Sequence, residues 1–143
     1  MPYELTFNDV FTSINGEVSP CKQGSIATFL RFSNGCNLKC PWCDTKDHRN
    51  TKHKLFNFDT IKLLKDLEKF NSGFPLAKNI TITGGEPLFT YELQPGAFLD
   101  LLNALNGYNV AVETNGTYRL PAKFRSYPCF KGFVVDYKFF LLD

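Results

Sequence analysis

Three cysteines fall within eight residues of one another, in Cys36-Asn37-Leu38-Lys39-Cys40-Pro41-Trp42-Cys43. Spacings of three and two intervening residues let one tight loop aim three thiolates at a common centre. Iron–sulfur clusters take cysteine thiolates as ligands, and a four-iron cluster wants four of them. Three leave one iron with an open position that can chelate a small molecule, just as a catalytic zinc keeps one site for water or substrate. The competing reading is a structural zinc site, with His48, His53, Cys21 or Cys129 completing a tetrahedron. Zinc motifs usually bring two separated pairs of ligands, whereas here the cysteines share one loop and no second pair follows. The spacing favours the cluster, with zinc or unligated thiols as the alternatives.

The elements around this loop would place it. The apolar run Ala27–Phe32 reads as a buried strand leading into a turn-rich stretch, Ser33–Asn57, that contains the cysteines. Asn57 or Asp59 then caps a helix carrying Phe58, Ile61, Leu64, Leu67 and Phe70 and ending at Gly73. A β-branched strand, Ile80–Thr83, runs into Gly84-Gly85-Glu86-Pro87. A second helix starts near Pro95, carries Phe98, Leu99, Leu102 and Leu105, and stops at Gly107. Val110–Glu113 is a third strand, followed by Thr114-Asn115-Gly116-Thr117; Pro121–Tyr127 is short helical or irregular, and Gly132–Asp136 is a fourth strand. Strands alternating with amphipathic helices predict a parallel sheet with right-handed crossovers. In such sheets the polar, glycine-rich loops after the C-terminal strand ends build the binding site. The cysteine loop, TGGEP (83–87), ETNGT (113–117) and DYK (136–138) therefore converge on one rim.

A chain of 143 residues, 43% hydrophobic and 21% charged, is expected to form one domain over 1–143 with its own core. A formal charge of +2 is too mild to argue for a nucleic-acid partner. No apolar run is long enough for a membrane span. Met1–Val10 carries Glu4 and Asp9 where a signal peptide would be apolar, so a cytoplasmic, reducing location is expected. There, five cysteines read as metal ligands or thiols, not disulfides. Lys46–Lys54, with both histidines, reads as a solvated loop, and Cys21 and Cys129 as plain thiols.

Cys-x3-Cys-x2-Cys followed by a Gly-Gly-Glu-Pro strand end resembles the radical S-adenosylmethionine (SAM) superfamily. Ser13-Ile-Asn-Gly-Glu17, Phe29-Leu-Arg31-Phe and Cys43-Asp44-Thr45 narrow the resemblance to the 7-carboxy-7-deazaguanine synthase family, over about Phe7 to Lys138. That family rearranges 6-carboxy-5,6,7,8-tetrahydropterin into 7-carboxy-7-deazaguanine with loss of ammonia, on the way to queuosine and related bases. The resemblance implies a partial (β/α) TIM-like barrel of α/β class, shortened at the C-terminus, with a four-iron–four-sulfur cluster, SAM and Mg²⁺ as cofactors. By position, Cys36, Cys40 and Cys43 would hold the cluster. Trp42, Cys43, Asp44 and Gly85 would contact SAM, with Glu113, Asn115, Asp136 and Lys138 as further contacts, and Thr45 would give an oxygen to Mg²⁺. Ile14, Asn15, Gly16, Glu17, Arg31 and Thr83 would face the pterin. The resemblance further implies a homodimer and a reducing partner such as flavodoxin.

Elementary chemistry agrees with this carry-over. A Gly-Gly turn lets backbone N–H groups approach a ligand closely. Arg31 offers a planar fork for a carboxylate, and Mg²⁺ prefers hard oxygens. The chain also departs from the family pattern. Asn15 replaces the usual Gln, Val18 replaces a Gly, one extra residue separates Arg31 from Cys36, and the end reads Phe139-Phe-Leu-Leu-Asp143. Only four strands are expected where a full radical SAM core has six. A glycyl-radical-enzyme activating protein and a degenerate, non-catalytic iron–sulfur or zinc module are the competing readings.

Overall fold

The computed structural model describes residues 4–16, 18–33, 53–56 and 60–136. Along the chain these form β1 (Glu4–Ile14), β2 (Ile26–Phe32), β3 (His53–Phe56), α1 (Thr60–Phe70), β4 (Asn79–Gly84), α2 (Pro87–Leu93), α3 (Pro95–Ala104), β5 (Asn109–Thr114), a 3-10 turn (Ala122–Ser126) and β6 (Phe130–Val135). The strands make one open six-stranded sheet in the order β3-β1-β2-β4-β5-β6. β2, β4, β5 and β6 run parallel, as the alternation of strands and helices predicts. β1 pairs antiparallel with β2 on one side and β3 on the other. This mixed, mostly parallel sheet is the architecture of a partial β/α barrel.

The four expected strands are the four parallel ones; β1 and β3 correct the count to six. β1 escapes a period-two reading because its register shifts between Phe7 and Asp9. The extra residue, Asn8, makes a β-bulge, so Leu5 and Phe7 enter the core in one phase and Val10 in the other. β3 lies inside the stretch read as a turn-rich loop, and its four residues are too few to show a period. It also takes His53 and Lys54 out of the expected solvated loop. α2 is a second addition, with Pro87 at its first turn.

The core is one apolar layer between the helices and a single face of the sheet. Leu5, Phe7, Val10, Leu30, Phe32, Leu55, Ile80, Ile82, Val110 and Val112 meet Leu63, Leu67, Leu88, Phe98, Leu101 and Leu102 there. Aromatic rings run through it: Phe7 stacks on Phe32 at 4.9 Å, and Phe98 lies 5.7 Å from Phe32 and 5.1 Å from Phe124. Among the described residues Phe7, Phe32, Phe98 and Phe124 are fully buried in it. In α1 the buried stripe is Leu63 and Leu67, flanked by Leu64 and Phe70. Ile61, expected on that stripe, is 66% exposed. It lies two residues before Leu63, roughly 200° around the helix.

On the helix-covered side Thr12, Thr28, Asn71 and Cys129 are all paired. Thr12 and Thr28 share a hydroxyl bond of 2.9 Å, and the Ala77 N–H donates to the same Thr28 oxygen at 2.8 Å. Buried Asn71 accepts from the Thr12 hydroxyl and donates to the Phe74 and Pro75 carbonyls. Cys129 donates its thiol to the Leu102 carbonyl at 3.1 Å.

A candidate active site at the strand-end rim

The C-terminal ends of β2, β4, β5 and β6 meet at one rim, joined by short-range bonds. β2 ends at Phe32, and the chain leaves it through Ser33, whose N–H donates to the Thr6 carbonyl at 2.9 Å and whose hydroxyl donates to Thr6 Oγ1 at 2.6 Å. Ser33 is thus fixed at the rim, three residues before Cys36. Beside it, β4 closes tightly on β2. Gly84 has φ +123, and a Cβ there would stand 2.4 Å from Phe32 N and 2.5 Å from Phe32 O. No side chain fits that space, so Gly84 is required for strand-to-strand contact. The next residue, Gly85, donates its N–H to the Phe32 carbonyl at 3.4 Å.

Glu86 ties β4 to β5. Its side chain, 1% exposed, accepts from the Thr114 hydroxyl at 2.6 Å and from the Asn115 N–H at 3.0 Å. Burial pushes its carboxyl above the ordinary carboxylate range, and the Thr114 and Asn115 bonds pull against that rise. Its backbone carbonyl accepts the first N–H bonds of α2, from Phe89 and Thr90. One residue therefore fixes the strand end, the helix start and the neighbouring strand. The sequence reading assigned no role to Glu86; the available signal was a carboxylate set between Gly-Gly and Pro at a helix start. The bond from Asp136 N–H to the Thr114 carbonyl, 2.9 Å, carries the seam on to β6.

One residue below the rim, on the face that the core layer leaves uncovered, a row runs across the sheet. Asp9 pairs with Arg31 and Arg31 with Thr83; Glu113 follows on β5, and it pairs with Val134. The Arg31 guanidinium lies over the Phe11 ring at 5.3 Å, and its buried Nε has no hydrogen-bond partner among the described residues. An arginine donor buried beside an aromatic ring calls for an anion.

The structure thus brings Gly85, Glu113, Asn115, Asp136, Arg31 and Thr83 to the rim and its adjacent row. Asn115 uses its side-chain oxygen to accept from the Thr117 N–H and hydroxyl, at 3.0 and 2.6 Å, building the turn after β5. Ile14, Asn15 and Gly16 stand at the other end of the strands: Ile14 pairs with Ile26, and Asn15 N–H donates to the Ser25 carbonyl at 2.8 Å. Continuing the register puts Asn15 on the same uncovered face as Arg31. It is 1% exposed, and neither polar atom of its side chain has a partner among the described residues. Ile14 is 66% exposed. Glu17, Cys36, Cys40, Trp42, Cys43, Asp44, Thr45, His48 and Lys138 lie outside the described residues.

Among the described residues no group of His, Cys, Asp and Glu could hold a metal. Cys129 is 1% exposed in the helix-side core, and His53 stacks on Phe70 at 4.4 Å. Cys21 is buried in the β1–β2 connection, at the far end of the sheet from Ser33. Burial raises both thiols above their ordinary range. These placements argue against a tetrahedron completed by Cys21, Cys129 or His53. The rim's donors are nitrogen and oxygen, which fit a polar organic cofactor, and the orphaned Arg31 nitrogen fits an anionic ligand. Cluster ligation would then fall to the three thiols of the loop that Ser33 launches. No helix among the described residues is long and apolar enough to cross a membrane.

Comparison with known proteins bears on the same rim. Residues 30–129 match the family model described as the radical SAM superfamily. The 7-carboxy-7-deazaguanine synthase of Clostridium acetobutylicum is 39% identical over 90% of this chain and 53% of its own length. Those of Aquifex aeolicus and Haemophilus influenzae are 37% and 36% identical, over 79% and 85% of this chain and 46% and 51% of their own. The chain spans about half the length of the curated relatives it matches. A family match that starts in β2, takes in the cysteine loop and runs to Cys129 covers the end of β2 and all of β4 and β5, and the chain belongs to the radical SAM superfamily, whose chemistry rests on a four-iron–four-sulfur cluster and SAM.

Proposed function

We propose that this chain carries the core of a carbon–nitrogen lyase that converts 6-carboxy-5,6,7,8-tetrahydropterin into 7-carboxy-7-deazaguanine with release of ammonia, in queuosine and 7-deazaguanine biosynthesis. The observation that carries this reading is Arg31. It stands on the uncovered face next to Thr83, beside the rim from which the cysteine loop departs, with a buried nitrogen that has no partner among the described residues. The carboxylate of a pterin acid would complete it in a bidentate, charge-assisted pair. Relatives bearing the 7-carboxy-7-deazaguanine synthase name match over most of this chain.

When bound, the cluster supplies an electron and SAM the group that abstracts hydrogen from the substrate. The protein's share is placement. Cys36, Cys40 and Cys43 would hold the cluster; Trp42, Asp44, Gly85, Glu113, Asn115, Asp136 and Lys138 would hold SAM; Thr45 would give an oxygen to Mg²⁺. Gly85 presents backbone without a Cβ, and Glu86 keeps that backbone in register with β5. Arg31 and Thr83 would orient the pterin, and Phe11 shields one side of the guanidinium from water. Asn15 would bound the substrate from the far end of the same face, and Ile14, Gly16 and Glu17 are further proposed substrate contacts. A homodimer, a flavodoxin-type one-electron donor and a cytoplasmic setting complete the proposal.

The test is anaerobic incubation of the reduced, cluster-loaded protein with SAM and the carboxylated pterin. Ammonia and 7-carboxy-7-deazaguanine are expected in equal amounts. SAM cleavage without either product would remove the lyase reading and leave the superfamily assignment standing.

A further inference from the structure

One row further down the uncovered face, Phe29 pairs with Thr81, Thr81 with Ala111, and Ala111 with Gly132. Phe29 stacks on Phe11 at 5.1 Å, so aromatic rings stand at one end of the row and residues with almost no side chain at the other. Between them sits Thr81, 1% exposed, with a hydroxyl that has no hydrogen-bond partner among the described residues. A buried hydroxyl left unpaired costs stability, and one in a native structure needs an explanation. Threonine also suits a β-strand no better than valine, which would fill the same space without that cost. Residues 18–25 arch over this face. The Asn79 amide donates to Ser25 Oγ at 3.0 Å, and Pro20 comes within 3.2 Å of where a Gly132 Cβ would stand.

We propose that Thr81 is a specificity-determining residue: its hydroxyl hydrogen-bonds the polar edge of a flat heterocycle lying beside Phe29 and over Ala111. The inference rests on the pterin lyase reading and adds to it a contact between the Arg31–Thr83 row and Asn15. A pterin ring system offers donors and acceptors along one edge, and a hydroxyl can pair with either. The ligand reaches Thr81 when the 18–25 segment yields, and it supplies a partner that the described residues do not.

The experiment compares wild type, Thr81→Val and Thr81→Ser in two arms. Thermal unfolding of the cluster-loaded protein without ligand should show Thr81→Val melting roughly 2–4 °C higher, because an unpaired hydroxyl has been removed. Equilibrium binding of 6-carboxytetrahydropterin should weaken about tenfold in Thr81→Val and be largely restored in Thr81→Ser. A lower melting temperature for Thr81→Val would make the hydroxyl a structural bond and overturn the proposal without reference to any substrate. Unchanged pterin affinity in Thr81→Val, with wild type binding normally, would overturn it and leave the lyase reading intact. A wild-type protein that binds no pterin would remove the lyase reading, and this contact with it.

Discussion

The two faces of the sheet are built from the same strands under opposite rules. On the helix-covered face, strand residues Leu30, Phe32, Ile80, Ile82, Val110 and Val112 are all 0% exposed among apolar neighbours. Its polar groups are few, and those of Thr12, Thr28 and Asn71 are paired. On the other face the alternate residues include Arg31, Thr81, Thr83 and Glu113, and the register carries Asn15 to the same side. There Asn15, Arg31 and Thr81 bury polar atoms that have no partner among the described residues. The first face is arranged for stability. The second carries a standing cost that ligands would remove, which is the pattern expected where strain and function coincide.

The contrast predicts that substitutions on the two faces fail differently, and the largest effect lies on the helix side. Phe98→Ala removes a fully buried ring packed between Phe32, Tyr91 and Phe124, and should cost about 3–5 kcal/mol in chemical denaturation. The fraction still folded should keep its ligand affinity; a specific loss of pterin binding there would break the comparison.

Arg31→Met tests the opposite face at an intermediate size. Methionine keeps an apolar stem against Phe11, so stability should move by less than about 1 kcal/mol. Affinity for the carboxylated pterin should fall by roughly 30-fold, and affinity for a decarboxylated analogue should hardly change. An equal loss for both ligands would deny Arg31 a carboxylate partner.

Glu86 sits at the seam between the faces and should give the smallest and most pH-dependent effect. Burial raises its folded-state value, so the folded chain holds that proton more readily than the unfolded chain. The resulting stability is complete below the unfolded value of about 4.3 and is lost as pH rises through the folded value. Stability measured across mildly acidic pH should therefore fall with rising pH in wild type, and this component should be missing in Glu86→Gln. An identical slope in both proteins would show that Glu86 is not its source.

How much could be read from the sequence follows the same division. The parallel strands were legible because β-branched or apolar runs such as Ile80–Thr83 and Val110–Glu113 are buried on both faces or nearly so, and glycine-rich turns end them. The convergence of TGGEP and ETNGT on one rim followed from topology alone. β1 was hidden by the phase change at Asn8, and Ile61 misled because its i+3 spacing to Leu64 matches a stripe whose buried centre is Leu63 and Leu67. The need for Gly84 was invisible because it depends on the backbone of Phe32, a partner 52 positions away. Glu86 and Thr81 were missed for a related reason. Motif matching weighs what a residue could offer a ligand, whereas their states depend on Thr114 and on a missing partner.

The central claim is tested most directly by reconstituting the protein with iron and sulfide without oxygen, then counting metal and sulfide in wild type and Cys40→Ala. Three loop thiolates holding a cubane predict roughly four irons and four sulfides per wild-type chain, with the open iron confirmed by reductive cleavage of SAM to 5′-deoxyadenosine, and loss of all three signals in Cys40→Ala. One zinc per chain, no sulfide and no SAM cleavage would contradict it.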